Sequence, residues 1–137
     1  MAEVKLVNPP TLGPAIGFSH VAVANGWIFL SGQIGSGETG EVLAPGDLVA
    51  QFRRALQNTL GALEAAGGEP QGIVKLTYYV TDVSTYRANL ERIGAAYREI
   101  MGKRYPASSL FEVSGLFDPK AMIEIECVAI LDPLDTK

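Results

Sequence analysis

Thiol, imidazole and metal-cluster chemistry find little material in this chain, because its 137 residues include one cysteine and one histidine. An internal disulfide needs two thiols and a structural zinc site needs a set of Cys or His ligands, so both are excluded. Charge is sparse at 19%, and the basic sign is the rarer one: 11 Lys plus Arg face 15 Asp plus Glu, a net charge of -4. That balance is the wrong sign for neutralising phosphates and disfavours a nucleic-acid partner. No apolar run approaches the roughly 20 residues that span a bilayer. The opening segment MAEVKLVNPPTLGP has an acid at Glu3 and no apolar signal core, so a cytoplasmic protein with no membrane partner is expected. What the chain has is apolar material, 47% of its residues, and 15 glycines. This composition predicts a single domain over 1–137, with an N-terminal arm at 1–12 and a C-terminal tail at 131–137.

Residues 1–17 read as an arm or short edge strand followed by a turn. Phe18–Leu30 then contains two β-rich runs around Asn25-Gly26, a pair that supplies the positive φ angles of a two-residue hairpin turn. Ser31–Gly46 is a glycine-rich loop, and a helix opens at Asp47, a suitable N-cap. Leu48, Phe52, Leu56, Leu60 and Leu63 form the helix's apolar stripe, and Gly67-Gly68 ends it. Ile73–Val80 reads as a strand with Val74, Leu76, Tyr78 and Val80 on one face. A second helix is predicted over Thr85–Met101, striped by Tyr86, Leu90, Ile93, Tyr97 and Ile100. Strands at 107–116 and 122–131 close the chain. The order is β-β-α-β-α-β-β, an α+β fold of four or five strands with two helices on one sheet face. One helical layer leaves the other face uncovered, and the last strand is not purely polar on either side. Self-association is therefore expected.

Few residues invite chemistry. GSGETG at 35–40 fits a dinucleotide fingerprint in letters, but no helix follows it directly, so it reads as a structural loop. His20, placed in a strand, is a candidate base or ligand. Cys127 sits in an apolar run and reads as a buried, inert thiol. Glu124 and Glu126 share a strand face about 7 Å apart. A carboxylate drawn into a pocket there would have a raised pKa and could exchange protons as a general acid or base.

FSHVAVANGWIFLSGQI, QFRRALQNTLGALEAAGG, IVKLTYYVTDV, YPASS and MIEIECVAI together resemble the RidA family, also called YjgF, reactive intermediate deaminase or endoribonuclease L-PSP type, from about Gly13 to Ile130. The resemblance implies a chorismate-mutase-like subunit, a homotrimer whose sheets form a central barrel, and small-molecule clefts between subunits. It also implies cofactor-free hydrolysis of enamines and imines such as 2-aminoacrylate, releasing ammonia. Glu124 matches the carboxylate that orients the hydrolytic water. Ser108 falls at the catalytic P-A-R-S arginine, while Phe18, His20, Ser31, Gly32, Tyr97, Ser109 and Leu110 fall at substrate-binding positions.

The departures from the family pattern are specific. The motif reads Pro106-Ala107-Ser108-Ser109, so a hydroxyl replaces the guanidinium that would grip a substrate carboxylate through its planar fork. Phe18 keeps the ring of the usual tyrosine without its O–H, and Gly94 stands where an asparagine is usual. Lys103 and Arg104, just upstream, read as solvated surface positions. A less cationic, more apolar cleft is expected, with weak 2-aminoacrylate turnover and a non-standard, less anionic substrate. The alternative is a metabolite-binding protein without catalysis. RNA cleavage, attached to some family members, is disfavoured by the acidic charge and the absence of a histidine pair.

Overall fold

The computed structural model describes residues 2–131. Six strands form one sheet: β1 Lys5–Val7, β2 Val21–Ala24, β3 Trp27–Gln33, β4 Ile73–Val80, β5 Ala107–Glu112 and β6 Ile123–Ile130, in the order β1-β2-β3-β6-β4-β5. All neighbours are antiparallel except β4 and β5. The arm thus carries the short edge strand allowed for it, and the sheet has six strands where four or five were expected. Residues 132–137 of the predicted tail lie outside the described residues.

The β2–β3 hairpin turns at Asn25 (φ 51°) and Gly26 (φ 79°), the paired left-handed conformation that Asn-Gly tolerates. α1, Leu48–Ala65, starts where Asp47 accepts a hydrogen bond from the Ala50 N–H. Leu48, Phe52, Leu56 and Leu63 are buried beneath it with Ile28, Leu76, Ile123 and Ile125 from the sheet. The predicted second helix is two: α2 Val83–Ala88 and α3 Leu90–Met101. The break falls at Asn89, whose side chain donates to the Thr85 carbonyl, a local bond that competes with helix continuation. α2 also begins before Thr85, because Asp82 accepts from the Ser84 and Thr85 N–H groups. Of the predicted stripe, Leu90 is exposed, and Ala96 and Met101 join Ile93 in the core instead.

The face assigned to β4 also needs correction at one residue. A register irregularity between Ile73 and Lys75 opposite β6 makes Val74 an extra residue, so Ile73 is buried and Val74 exposed. From Leu76 onward the alternation is as expected. The helices cover the face of Leu76, Tyr78, Ile125 and Cys127. On the other face lie Trp27, Phe29, Phe111 and Ile130, all exposed apolar side chains, beside Lys75, Thr77, Tyr79, Glu124 and Glu126.

Candidate active site

The glycine-rich segment is not all loop: β3 continues through Ser31 and Gly32 to Gln33. Leu30 pairs with Cys127 and Gln33 with Ile125, so β3 accommodates one extra residue at Ser31-Gly32, a bulge beside Glu124. Glycine is needed there. A Cβ on residue 32 would lie 2.3 Å from the Glu124 Oε2. Burial, with the Glu126 charge beside it, raises the Glu124 pKa above the ordinary carboxylate range. Glu126 accepts a 2.5 Å hydrogen bond from the Tyr79 hydroxyl, and Lys75 Nζ donates to Ser109 Oγ at 3.0 Å on the same open face. Polar side chains of α1 hold the segment after the bulge. Asn58 Nδ2 donates to the carbonyls of Ile34 and Ser36, and fully buried Gln51 donates to Ala44 and Lys120 while accepting from the Met122 N–H.

Ser108 and Leu110 point the other way. Their register partners Leu76 and Tyr78 are buried on the helix face, so Ser108 and Ser109 serve opposite sides of the sheet. Ser108 lines a groove of about 220 Å³ with Tyr78, Tyr86, Gly94, Tyr97 and Arg98. Leu110 is half-buried against the core. Tyr97 donates its hydroxyl to the Arg104 carbonyl and stacks on Tyr105 at 5.4 Å. Burial pushes the Tyr78 and Tyr86 hydroxyls up, which keeps them as protonated donors.

His20 does not lie in a strand; it precedes β2 and is buried. Its Nε2 lies 2.6 Å from the Gly13 carbonyl and its Nδ1 3.1 Å from Gln33 Nε2. Since a carbonyl only accepts and the amide nitrogen only donates, Nε2 carries the proton and both ring nitrogens are engaged. The ring anchors the arm and leaves no free nitrogen for a substrate. Phe18, half exposed, meets that ring edge-on at 5.4 Å. Arg104 does not replace the missing arginine within the subunit, because its guanidinium donates to the Pro70 and Gln71 carbonyls. Arg98 was not singled out in the sequence. The signal was Gly94 and Arg98 four apart on one helix, a spacing that puts both on one face.

Bulge, Glu124 over glycine, and the 106–109 segment that leads into β5 are the structural counterparts of the motifs that resemble RidA, and the family model described as Endoribonuclease L-PSP matches residues 10–131. The chain belongs to the endoribonuclease L-PSP family. Among L-PSP family relatives, a 2-iminobutanoate/2-iminopropanoate deaminase of Homo sapiens is 31% identical over 129 residues, 93% of this chain and 88% of its own. A RutC family protein of Pyrococcus horikoshii is 35% identical over 123 residues, 88% of this chain and 90% of its own. The crystal structure of E. coli TdcF with bound serine superposes with a TM-score of 0.80 at 28% identity, covering 93% of this chain and 99% of that one. In this L-PSP family chain, the helices described are too short or too polar to cross a membrane.

Proposed function

We propose that this protein is a RidA-type homotrimer of chorismate-mutase-like subunits that hydrolyses a small imine or enamine in clefts between subunits, without a cofactor. The exposed Trp27, Phe29, Phe111 and Ile130 supply an apolar face for the central barrel. Glu124 with Ser31-Gly32, and Ser108 with Leu110 and Tyr97, lie on opposite faces of one subunit's sheet. A cleft uniting them takes one set from each of two neighbours. Phe18 and Ser109 would border it, while His20 would support it through the arm.

In the reaction, Glu124 accepts a proton from water as the water oxygen bonds to the C=N carbon. Glu124 returns that proton to the nitrogen, giving a neutral carbinolamine; it then passes the hydroxyl proton to the same nitrogen as the C–O bond becomes a carbonyl and the C–N bond breaks, releasing ammonia. A carboxyl with a raised pKa suits this exchange, because it holds a transferred proton more readily than an ordinary carboxylate does. The observation that carries the reading is Glu124 itself, half-buried and fixed over Gly32 at a strand bulge, in a chain whose relatives include named imine deaminases. Ser108 predicts weak 2-aminoacrylate turnover, and the apolar Phe18 and Leu110 favour a bulkier imine. Ser108 also supports a second reading, in which the cleft binds a metabolite without turnover.

An ammonia-release assay on 2-imino acids formed in place from amino acids tests both. Release above the buffer rate that is lost in Glu124→Gln supports hydrolysis. Ligand binding with ammonia no faster than buffer supports the second reading.

A further inference from the structure

The groove beside Ser108 holds a guanidinium that approaches from a different element. Arg98 lies one helical turn after Gly94 on α3, and long helical side chains lean back toward the N-terminus over that preceding turn. A Cβ on Gly94 would stand 3.3 Å from Arg98 Nη1, so the glycine leaves the space over which the guanidinium lies. Among the described residues, this guanidinium has no ion-pair or hydrogen-bond partner, unlike Arg53, Arg54, Arg92 and Arg104. The groove contains no Asp or Glu, and the Tyr78, Tyr86 and Ser108 hydroxyls line it with no hydrogen bond to a described residue. Phe52, Leu90 and Ile93 complete it as an apolar wall.

We propose that Arg98 supplies the cation of this groove, which accepts a small carboxylate with an apolar tail: the guanidinium holds the carboxylate, and the aromatic wall holds the tail. The site rests on the preceding reading where it places substrate at the Ser108 side of the cleft. This proposal departs from the expectation of a less anionic substrate, because it takes the positive charge from α3 rather than β5. Arg98 also sits in the last turn of α3, where a cation complements the helix dipole, and a purely structural role of that kind would give no preference for a charged ligand.

The probe is 4-methyl-2-oxopentanoate, compared with its neutral amide by titration calorimetry on the intact protein. The acid is expected to bind the wild type at least about tenfold more tightly than the amide, as a charge-assisted pair requires. Arg98→Met removes that preference, and Arg98→Lys restores part of it. Gly94→Val, which takes the guanidinium's space, weakens acid binding while circular dichroism shows the helices intact. Arg92→Met, on the solvent side of α3, changes nothing. Equal binding of acid and amide, no binding of the acid, or wild-type behaviour of Arg98→Met overturns the site. Ammonia release separates the two proposals. If no imine is hydrolysed while the Arg98-dependent preference persists, hydrolysis falls and the carboxylate site stands. If imines are hydrolysed with a KM that Arg98→Met does not change, the site falls and hydrolysis stands.

Discussion

Glu124 and Gly32 act as a pair, and each can be perturbed separately. Gly32→Ala pushes a methyl group into the carboxyl, so it is expected to displace Glu124 and lower kcat at least about tenfold by mispositioning alone, read by steady-state ammonia release. The raised Glu124 pKa also makes a stability prediction with a definite sign. An acid with a higher pKa folded than unfolded binds more protons in the native state, so its contribution is favourable at low pH. The contribution is lost as pH rises from the ordinary value of about 4.3 through the folded value. Glu124→Gln is therefore expected to melt above the wild type at pH 7, with the gap closing as the pH falls toward 4; a lower melting temperature at pH 7 would refute the buried charge. The carboxylate was legible in the sequence, because alternation put Glu124 and Glu126 on one face of an otherwise apolar strand. The bulge that selects Glu124 was not legible, since an extra residue in β3 is decided by its pairing with β6. The hydrogen bonds of His20 were not legible for a related reason: its partners Gly13 and Gln33 are seven and thirteen positions away and meet it only in the fold.

Helix α1 was readable almost to its ends, because the Asp47 cap and the leucine stripe are local signals that tertiary packing reinforces. Asp47→Ala is expected to cost about 1 kcal/mol through the lost cap, and Leu56→Ala about 2–5 kcal/mol through the cavity it leaves, both read by urea denaturation. Equal effects of the two would contradict the depth assigned to Leu56, which is fully buried. The segment from Asp82 to Met101 was less readable. Its apolar spacing runs through Asn89 without interruption, so periodicity predicted one helix, while side-chain hydrogen bonds at Asp82 and Asn89 set a start and a break. That break positions α3 with Gly94 and Arg98 beside Ser108. Sequence spacing showed the absence of an arginine at 108 and could not show where another would reach.

At the scale of the whole molecule, the proposed ring of subunits would cover the open sheet face and bring together site residues from its two sides. Sedimentation is expected to give three times the 14.6 kDa subunit mass. Phe29→Glu, which places a charge in the apolar patch, is expected to shift the protein toward monomer and to abolish activity with it, because in the proposed assembly each cleft draws on two subunits. A fully active monomer would refute the shared cleft. The measurement that bears most directly on the account is ammonia release from 4-methyl-2-iminopentanoate, generated in place from leucine by an amino-acid oxidase. The account predicts release well above the buffer rate in the wild type, loss of at least about a hundredfold in Glu124→Gln, and slower release from 2-aminoacrylate. Ammonia appearing no faster than in buffer, or at an undiminished rate in Glu124→Gln, would contradict it.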